Sequence, residues 1–186
     1  WLVGGFYQNA KALFSFDANL TALTISGFND TRTRNYSAFS EISYDLFGGK
    51  LVPLVGIRYY KDNRRFDADS ILTGTGSGQT KPDKVTWRAN LSWFPTDDLT
   101  AFVTVSTGFR SGITQTPFHA SLVEASGIPS SIALAPDTLT NYEAGIKAKL
   151  ADGRVQLGLN VYRIDFKDLQ FGLTPFGVSA FANVGK

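Results

Sequence analysis

The chain of 186 residues contains no cysteine and no methionine, and only 18% of its residues are charged. The lack of cysteine excludes a disulfide framework, a thiol nucleophile and a cysteine-ligated zinc site. No run of about twenty apolar residues is present, so the sequence predicts no transmembrane helix. The net charge of +2 is small, and the basic residues are scattered, which argues against a nucleic-acid partner.

What the chain does have is strict alternation of apolar and polar residues, clearest from residue 142 to residue 166. Tyr142 to Leu150 alternates with period two, Asp152-Gly153 marks a tight turn, and the alternation resumes at Val155. This pattern predicts a long amphipathic hairpin. In its second strand the apolar parity switches near residue 162, so Arg163 and Asp165 would point to the apolar side. We therefore expect a β-bulge near 161–163, or a rise of the strand there beyond the apolar surroundings of the hairpin.

The same design recurs upstream. Residues 84–94 and 99–110 flank a turn at 95–98, and residues 36–47 and 51–65 flank Gly48-Gly49-Lys50. Pro53 cannot donate to a ladder, so it should lie at a strand start or a bulge. The sequence thus predicts an all-β fold, an antiparallel up-and-down meander of these long strands with a short strand at Trp1–Gln8 and a part-strand from about Val178.

The connections also alternate in length. Tight turns at 48–50, 95–98 and 151–154 are interleaved with long polar segments at 9–35, 66–82 and 111–136, the last with room for a short helical turn at 119–126. Antiparallel strands therefore place all short turns at one end and all long loops at the other, as in outer-membrane barrels. A strand such as 99–109 spans roughly 33 Å, or about 25 Å when tilted, which matches the apolar band of such a barrel. On this interpretation lipid contacts the apolar face. Tyr44 and Trp93 form one aromatic girdle, and Tyr36, Tyr59 and Phe109 form the other.

Several segments carry a family resemblance. TGFRSG at 107–112, PDTLTNYEAG at 136–145, NVYRIDFKDLQ at 160–170 and ANVGK at 182–186 occur in the order typical of the carboxy-terminal half of a TonB-dependent outer-membrane receptor. The resemblance implies that residues 1–186 are a partial wall of a barrel of about 22 strands, an open curved sheet of about 7–9 strands without its plug domain. It also implies residence in the outer membrane of a Gram-negative bacterium. The implied function is active uptake of a ligand such as a ferric siderophore, powered through the TonB complex.

Four residues are candidates for ligand binding: Arg58, Arg88, Arg110 and His119. Guanidinium groups that line a vestibule would attract anionic substrates. The alternative is that these arginines pair with Glu41, with Glu143 or with plug residues. His119, the only histidine, lies in the 111–136 segment, where haem receptors of the family can carry an iron-ligating histidine. The interpretation that the sequence favours is an exposed loop residue without a role, because no motif flanks this histidine.

We expect no enzyme activity, no resident metal and no cofactor, because a lone histidine without a nucleophile motif does not make a hydrolase. Two rival folds remain open. A complete eight-stranded outer-membrane barrel with a structural or adhesion role would pair its first and last strands. A soluble β-sandwich would bury its apolar residues against a second sheet.

Overall fold

The computed structural model describes residues 1–20, 23–70 and 74–185. Strands account for most of this part of the chain. The elements in chain order are β1 (Leu2–Leu20), β2 (Leu23–Ser43), β3 (Leu51–Ser70), β4 (Gly76–Thr80), β5 (Asp83–Thr96), β6 (Leu99–Arg110), α1 (Pro117–Ala125), β7 (Asp137–Leu150), β8 (Val155–Lys167), β9 (Leu169–Leu173), a 3-10 turn (Pro175–Gly177) and β10 (Ala180–Val184).

The strands form one open antiparallel meander. The order is β1-β2-β3-β5-β6-β7-β8, with β4 paired to the outer part of β3, while β9 and β10 form a separate small hairpin. This confirms the predicted fold class. Because β1 and β8 stand at opposite ends of the sheet and do not pair, the alternative of a closed eight-stranded barrel is wrong for the described residues.

The two ends of the sheet differ as predicted. Short turns join β2 to β3, β5 to β6 and β7 to β8, and the tight turns use left-handed backbone at Phe47, Gly48, Gly49 and at Ala151, Asp152, Gly153. Pro53 is the third residue of β3, close to the turn. A residue without a backbone N–H donor therefore lies near the strand start, as predicted. The opposite end, here called the mouth, carries the long connections.

One predicted loop is wrong. Residues 9–35 do not form an irregular connection, because β1 and β2 pair without a break from Leu2↔Glu41 to Leu20↔Leu23. Likewise β3 runs to Ser70, and β4 occupies part of the 66–82 segment. These residues were assigned to loops because they are polar. A strand that continues above the apolar band has no lipid to face, so it does not need an apolar side. The loop tips at 21–22 and 71–73 lie outside the described residues.

The apolar side of the wall is open to its surroundings. Most of its large side chains are more than a third exposed, and no second layer of the described chain covers them, so the β-sandwich alternative is also wrong. Members of this outer face include Val55, Ile57, Val85, Trp87, Leu91, Val103, Leu157, Leu159 and Val161. Tyr36, Tyr44, Tyr59 and Trp93 are exposed there as well.

Phe109 departs from the predicted girdle. Its ring centroid lies 5.0 Å from that of Tyr60, edge-on. Tyr60 shares the opposite face with Arg58, whose guanidinium carbon lies 5.5 Å from the Tyr60 ring centre. Phe109 therefore packs with the polar-face residues near the mouth, a contact that period-two counting does not reveal.

The predicted bulge at 161–163 is absent. The β7–β8 ladder is regular from Leu150↔Val155 to Thr138↔Lys167, with Arg163 directly opposite Tyr142. The parity switch is real, so Arg163 and Asp165 lie on the outer face and pair with each other, Nε to Oδ1, at 2.9 Å. Arg163 stands eight residues from the start of β8, about 27 Å along the strand. This position near the mouth fits the other predicted alternative, emergence above the apolar band.

A glycine makes room for the one bulky apolar residue on the polar side of β6. Phe102 lies directly opposite Gly145 in β7. A Cβ at position 145 would stand 2.6 Å from the Phe102 ring and would also collide with Asn160 Oδ1. Phe102 thus covers the glycine, and Lys147 Nζ lies 5.7 Å from the ring centre.

The buried apolar core sits at the mouth. Val123 of α1 packs with Ala180 and Ala182 of β10, flanked by Ile128, Leu173 and Val184. The β6–β7 connection folds over the polar face of β3 and β4, where Arg64 Nη1 donates to the carbonyl of Gly112 at 3.3 Å. The helical turn expected at 119–126 is present as α1, capped by Thr116, whose hydroxyl accepts from the His119 amide.

Candidate functional site

The polar face of the wall carries an ion pair that spans three strands. Glu41, Gly56 and Arg88 form one cross-strand row on β2, β3 and β5. Arg88 reaches over the glycine and donates from Nε to Glu41 Oε2 at 2.7 Å. A Cβ at position 56 would stand 3.2 Å from that oxygen and 3.3 Å from Arg88 Cγ, so the absence of a side chain there lets the pair form.

Arg58 lies beside this pair with its charge uncompensated by any acid in the described part of the chain. Its Nη2 donates to Ser37 Oγ at 3.1 Å, and its guanidinium lies over Tyr60. Arg58 and Arg88 line one cavity of about 360 Å³. Glu41, several hydroxyl groups and apolar side chains line the same cavity, and the Arg58 guanidinium, which no described acid neutralises, can bind an anionic group there.

Arg110 is at the mouth and is held by Asp137, the first residue of β7. The Asp137 carboxylate is 2% exposed and accepts from Arg110 Nε at 2.8 Å, from the Arg110 amide at 3.2 Å and from the Gln170 amide at 3.1 Å. The Gln170 side chain in turn donates to the carbonyls of Ser111 and Ala135, each at 3.1 Å. We call Arg110, Asp137 and Gln170 the mouth node. It fastens both ends of the β6–β7 connection to β9.

His119 lies in the first turn of α1, and its ring is partly buried. Its Nδ1 stands 2.6 Å from Thr116 Oγ1. Burial lowers the pKa of His119, which favours the neutral imidazole near pH 7. It lines a second cavity, of about 380 Å³, together with Gln115 and a group of aromatic side chains: Phe14, Phe28, Phe66 and Phe181.

The structure therefore brings Arg58 and Arg88 together but keeps His119 in a separate cavity, with Arg110 on the rim. Sequence reasoning missed Asp137 and Gln170, and it missed Phe14 and Phe28 because their segment was assigned to a loop. Asp137 had one usable signal, its place in the PDTLTNYE segment. The aromatic residues had none, since their meeting depends on how the loop folds over the sheet.

Among the described residues, no group of three or more His, Cys, Asp or Glu side chains could hold a metal ion. No helix in the described part of the chain is long and apolar enough to cross a membrane.

The whole chain matches a family profile described as "TonB dependent receptor-like, beta-barrel", over residues 1–186. Among solved structures, the chain is similar to the ferric yersiniabactin uptake receptor FyuA from Yersinia pestis, with a TM-score of 0.73 and 18% identity. That match covers 90% of this chain and 26% of the receptor, so the chain spans about a quarter of its length.

Two further structures share the fold. The alcaligin outer-membrane receptor FauA from Bordetella pertussis has a TM-score of 0.54 and 16% identity, covering 97% of this chain and 34% of that one. The siderophore receptor PiuA from Acinetobacter baumannii has a TM-score of 0.54 and 14% identity, covering 87% of this chain and 22% of that one. No curated protein sequence matches the chain.

Proposed function

Because the chain belongs to the family of TonB-dependent receptor β-barrels, we propose that it forms part of a receptor that imports a ferric siderophore, driven by the TonB complex. The chain resides in the outer membrane of a Gram-negative bacterium, and its family consists of transport receptors. The cargo and the energy coupling are the proposed steps.

One observation carries the proposal: the polar face of the wall is lined by arginines and is roofed at the mouth by a folded connection. Ferric siderophores are commonly anionic, and a low-dielectric vestibule with fixed cations concentrates anions. The three similar structures are receptors for ferric yersiniabactin, alcaligin and a siderophore, which supports the same class of cargo.

The four candidate residues take different roles in this proposal. Arg58 is the principal anion contact, since its charge is not neutralised by a described acid. Arg88 is largely neutralised by Glu41 and contributes less. Arg110 acts as a positioning residue, because its guanidinium is held by Asp137 and supports the loop. His119 contributes a neutral imidazole to the aromatic cavity.

The test is uptake of radiolabelled ferric siderophores by cells that carry the whole receptor and lack other siderophore receptors. We expect TonB-dependent uptake, abolished when the proton motive force is collapsed. Arg58→Gln should weaken binding about ten- to a hundredfold, as expected for loss of one charged hydrogen bond. Arg154→Gln, in the β7–β8 turn at the opposite end, is the matched control and should leave uptake unchanged.

Uptake that persists without TonB would contradict the coupling step. Equal affinity of the wild type and Arg58→Gln for every anionic chelate tested would contradict the assigned anion contact.

A further inference from the structure

The wall is split between β5 and β6 in its mouth-side part. The ladder that joins these two strands ends at Arg88↔Ser106. Beyond that row, among the described strands, β5 continues to pair only with β3, and β6 continues to pair only with β7. Residues 84–87 and 107–110 therefore run side by side without ladder pairs over about 13 Å. We call this opening the lateral gap.

Side chains hold the lateral gap open. The Thr107 hydroxyl accepts from the Trp87 amide at 2.9 Å and donates to the Trp87 carbonyl at 3.3 Å, so it takes the place of a ladder partner. Phe109 turns to the polar face and reaches across β5, where its ring centroid lies 5.0 Å from that of Tyr60 on β3, edge-on. The backbone at the base of the gap is thus hydrogen-bonded, and the separation of the strands is a packed feature of the wall.

A cavity lies on each side of the lateral gap. The cavity on the polar face has a volume of about 380 Å³, and Arg58 and Tyr60 line it. The cavity on the outer face has a volume of about 390 Å³, and Val85, Trp87 and Tyr142 line it. Four lining residues belong to both cavities: Thr86, Thr107, Gly108 and Phe109. The two cavities therefore meet at the gap.

The outer cavity lies at the level where the apolar band ends. Val85 is directly opposite Tyr59, one of the mouth-side aromatic residues, and Trp87 is directly opposite Ile57 of the outer face. Nearer the mouth the same cavity is lined by three charged residues: Lys84, Asp165 and Lys167. An occupant of this cavity would therefore contact apolar side chains on the bilayer side and charged groups on the mouth side.

On the polar face the lateral gap adjoins Arg58, the proposed anion contact. Arg58 lies directly opposite Thr86 in the β3–β5 ladder, so their Cα atoms are about 5 Å apart. Thr86 itself lines the gap on both sides. An anionic group bound to Arg58 is therefore one strand away from an opening toward the face that contacts lipid.

We propose that the lateral gap holds the alkyl chain of an amphiphilic ligand whose anionic head is bound by Arg58. This inference rests on the proposed function and narrows its cargo to anionic ferric chelates that carry an acyl tail. The head stays on the polar face, and the tail passes between β5 and β6 into the outer cavity. Burial of the tail there removes it from water, and each buried methylene strengthens binding about fourfold.

The experiment uses the whole receptor in non-ionic detergent and decanoate that carries a photoreactive diazirine at the end of its chain. After irradiation at a subsaturating concentration of the probe, mass spectrometry maps the labelled peptides. We expect labelling concentrated at residues 85–87 and 140–142. It should fall at least about tenfold in Arg58→Gln, as expected for the loss of a charged hydrogen bond. Thr86→Phe places a ring in the gap and should reduce the same labelling.

Two controls separate the gap from ordinary contact with an alkyl chain. Thr100→Phe makes the same substitution on the polar face of β6 near the turns, and it should be labelled as the wild type is. The amide of the same probe has the chain without the charge, and it should label residues 85–87 and 140–142 at least about tenfold less than decanoate does. The amide comparison needs no variant, so it tests the proposal even if Thr86→Phe fails to fold, which heat-dependent gel migration reveals.

Two results would overturn the proposal. Equal labelling by the amide and the carboxylate, or equal labelling of wild type and Arg58→Gln, would mean that the outer cavity accepts any lipid chain. Unchanged labelling of folded Thr86→Phe would mean that the chain does not pass through the gap. Neither iron nor uptake enters the readout, so failure here leaves the proposed function standing, and a failure of TonB-dependent uptake would not alter the labelling.

Discussion

Two arginine–carboxylate pairs lie on the same face of this wall, and they do different things. Arg88–Glu41 lies in the middle of the sheet, and Arg110–Asp137 lies at the mouth. The arginines are equally exposed, 54% and 55%, but Glu41 is 23% exposed and Asp137 only 2%. The first pair joins side chains across a glycine. The second also holds two backbone amides and belongs to a network that reaches β9. Burial of the acid, more than the pairing itself, decides how much structure depends on it.

The largest effect is expected from removing the buried acid. Asp137→Ala should lower the free energy of unfolding by about 2–3 kcal/mol, because Arg110 and the Gln170 amide lose their acceptor. The exposed half of Arg110 keeps the loss below that of a fully buried pair. Thermal unfolding of the whole receptor in detergent measures it, and hydrogen exchange should show faster opening of residues 169–184.

Asp137→Asn is the matched variant for that prediction. It keeps the size and one acceptor oxygen, so about half of the loss should remain. If exchange in 169–184 is unchanged in Asp137→Ala, the mouth node does not fasten the loop.

An intermediate effect is expected in the middle of the wall, where the close fit of Phe102 over Gly145 leaves no room for a larger side chain. Gly145→Val should cost about 1–3 kcal/mol, because the added carbons collide with the Phe102 ring. Gly158→Val on β8 is the control, since a Cβ there meets nothing within 4 Å. Combining Gly145→Val with Phe102→Ala should recover part of the loss, and equal costs at 145 and 158 would refute the packing argument.

The smallest effect is expected at the mid-wall pair. Glu41→Gln should cost at most about 1 kcal/mol, since solvent reaches both partners. The difference should vanish in about 1 M salt, where charges are screened within about 3 Å. A loss as large as that of Asp137→Ala, measured in the same melting experiment, would remove the distinction between the two pairs.

Much of the fold was predictable because a wall that separates lipid from a polar interior must alternate at every strand. Tyr142 to Leu150 and Val155 to Val161 show this plainly, and the ladder confirms it. The prediction failed where that constraint ends. Residues 9–35 lie partly above the apolar band. β1 and β2 therefore continue there without the apolar–polar alternation by which a strand is predicted from sequence. The bulge predicted near Arg163 was wrong for a related reason. Arg163 lies above the apolar band, so it can stand on the outer face of a regular strand without contacting lipid chains.

The candidate site was predictable only in residue type. Arg58, Arg88, Arg110 and His119 could be selected as cations or ligands, and the predicted alternative of an arginine paired with Glu41 is confirmed for Arg88. Neither the Asp137 partner of Arg110 nor the grouping of the four residues could be derived. Glu41 lies 47 residues from Arg88 in the chain, and Gln170 lies 60 residues from Arg110.

The sequence by itself determined the parts of the strands that lie within the apolar band, the end that carries the tight turns and the face that meets lipid, because local alternation and turn residues specify them. Tertiary structure alone decided which charges are paired, where the 111–136 segment lies and that His119 shares a cavity with four phenylalanines. Those outcomes depend on strand register and on a loop folding back over the sheet, contacts between residues far apart in the chain for which no local pattern exists.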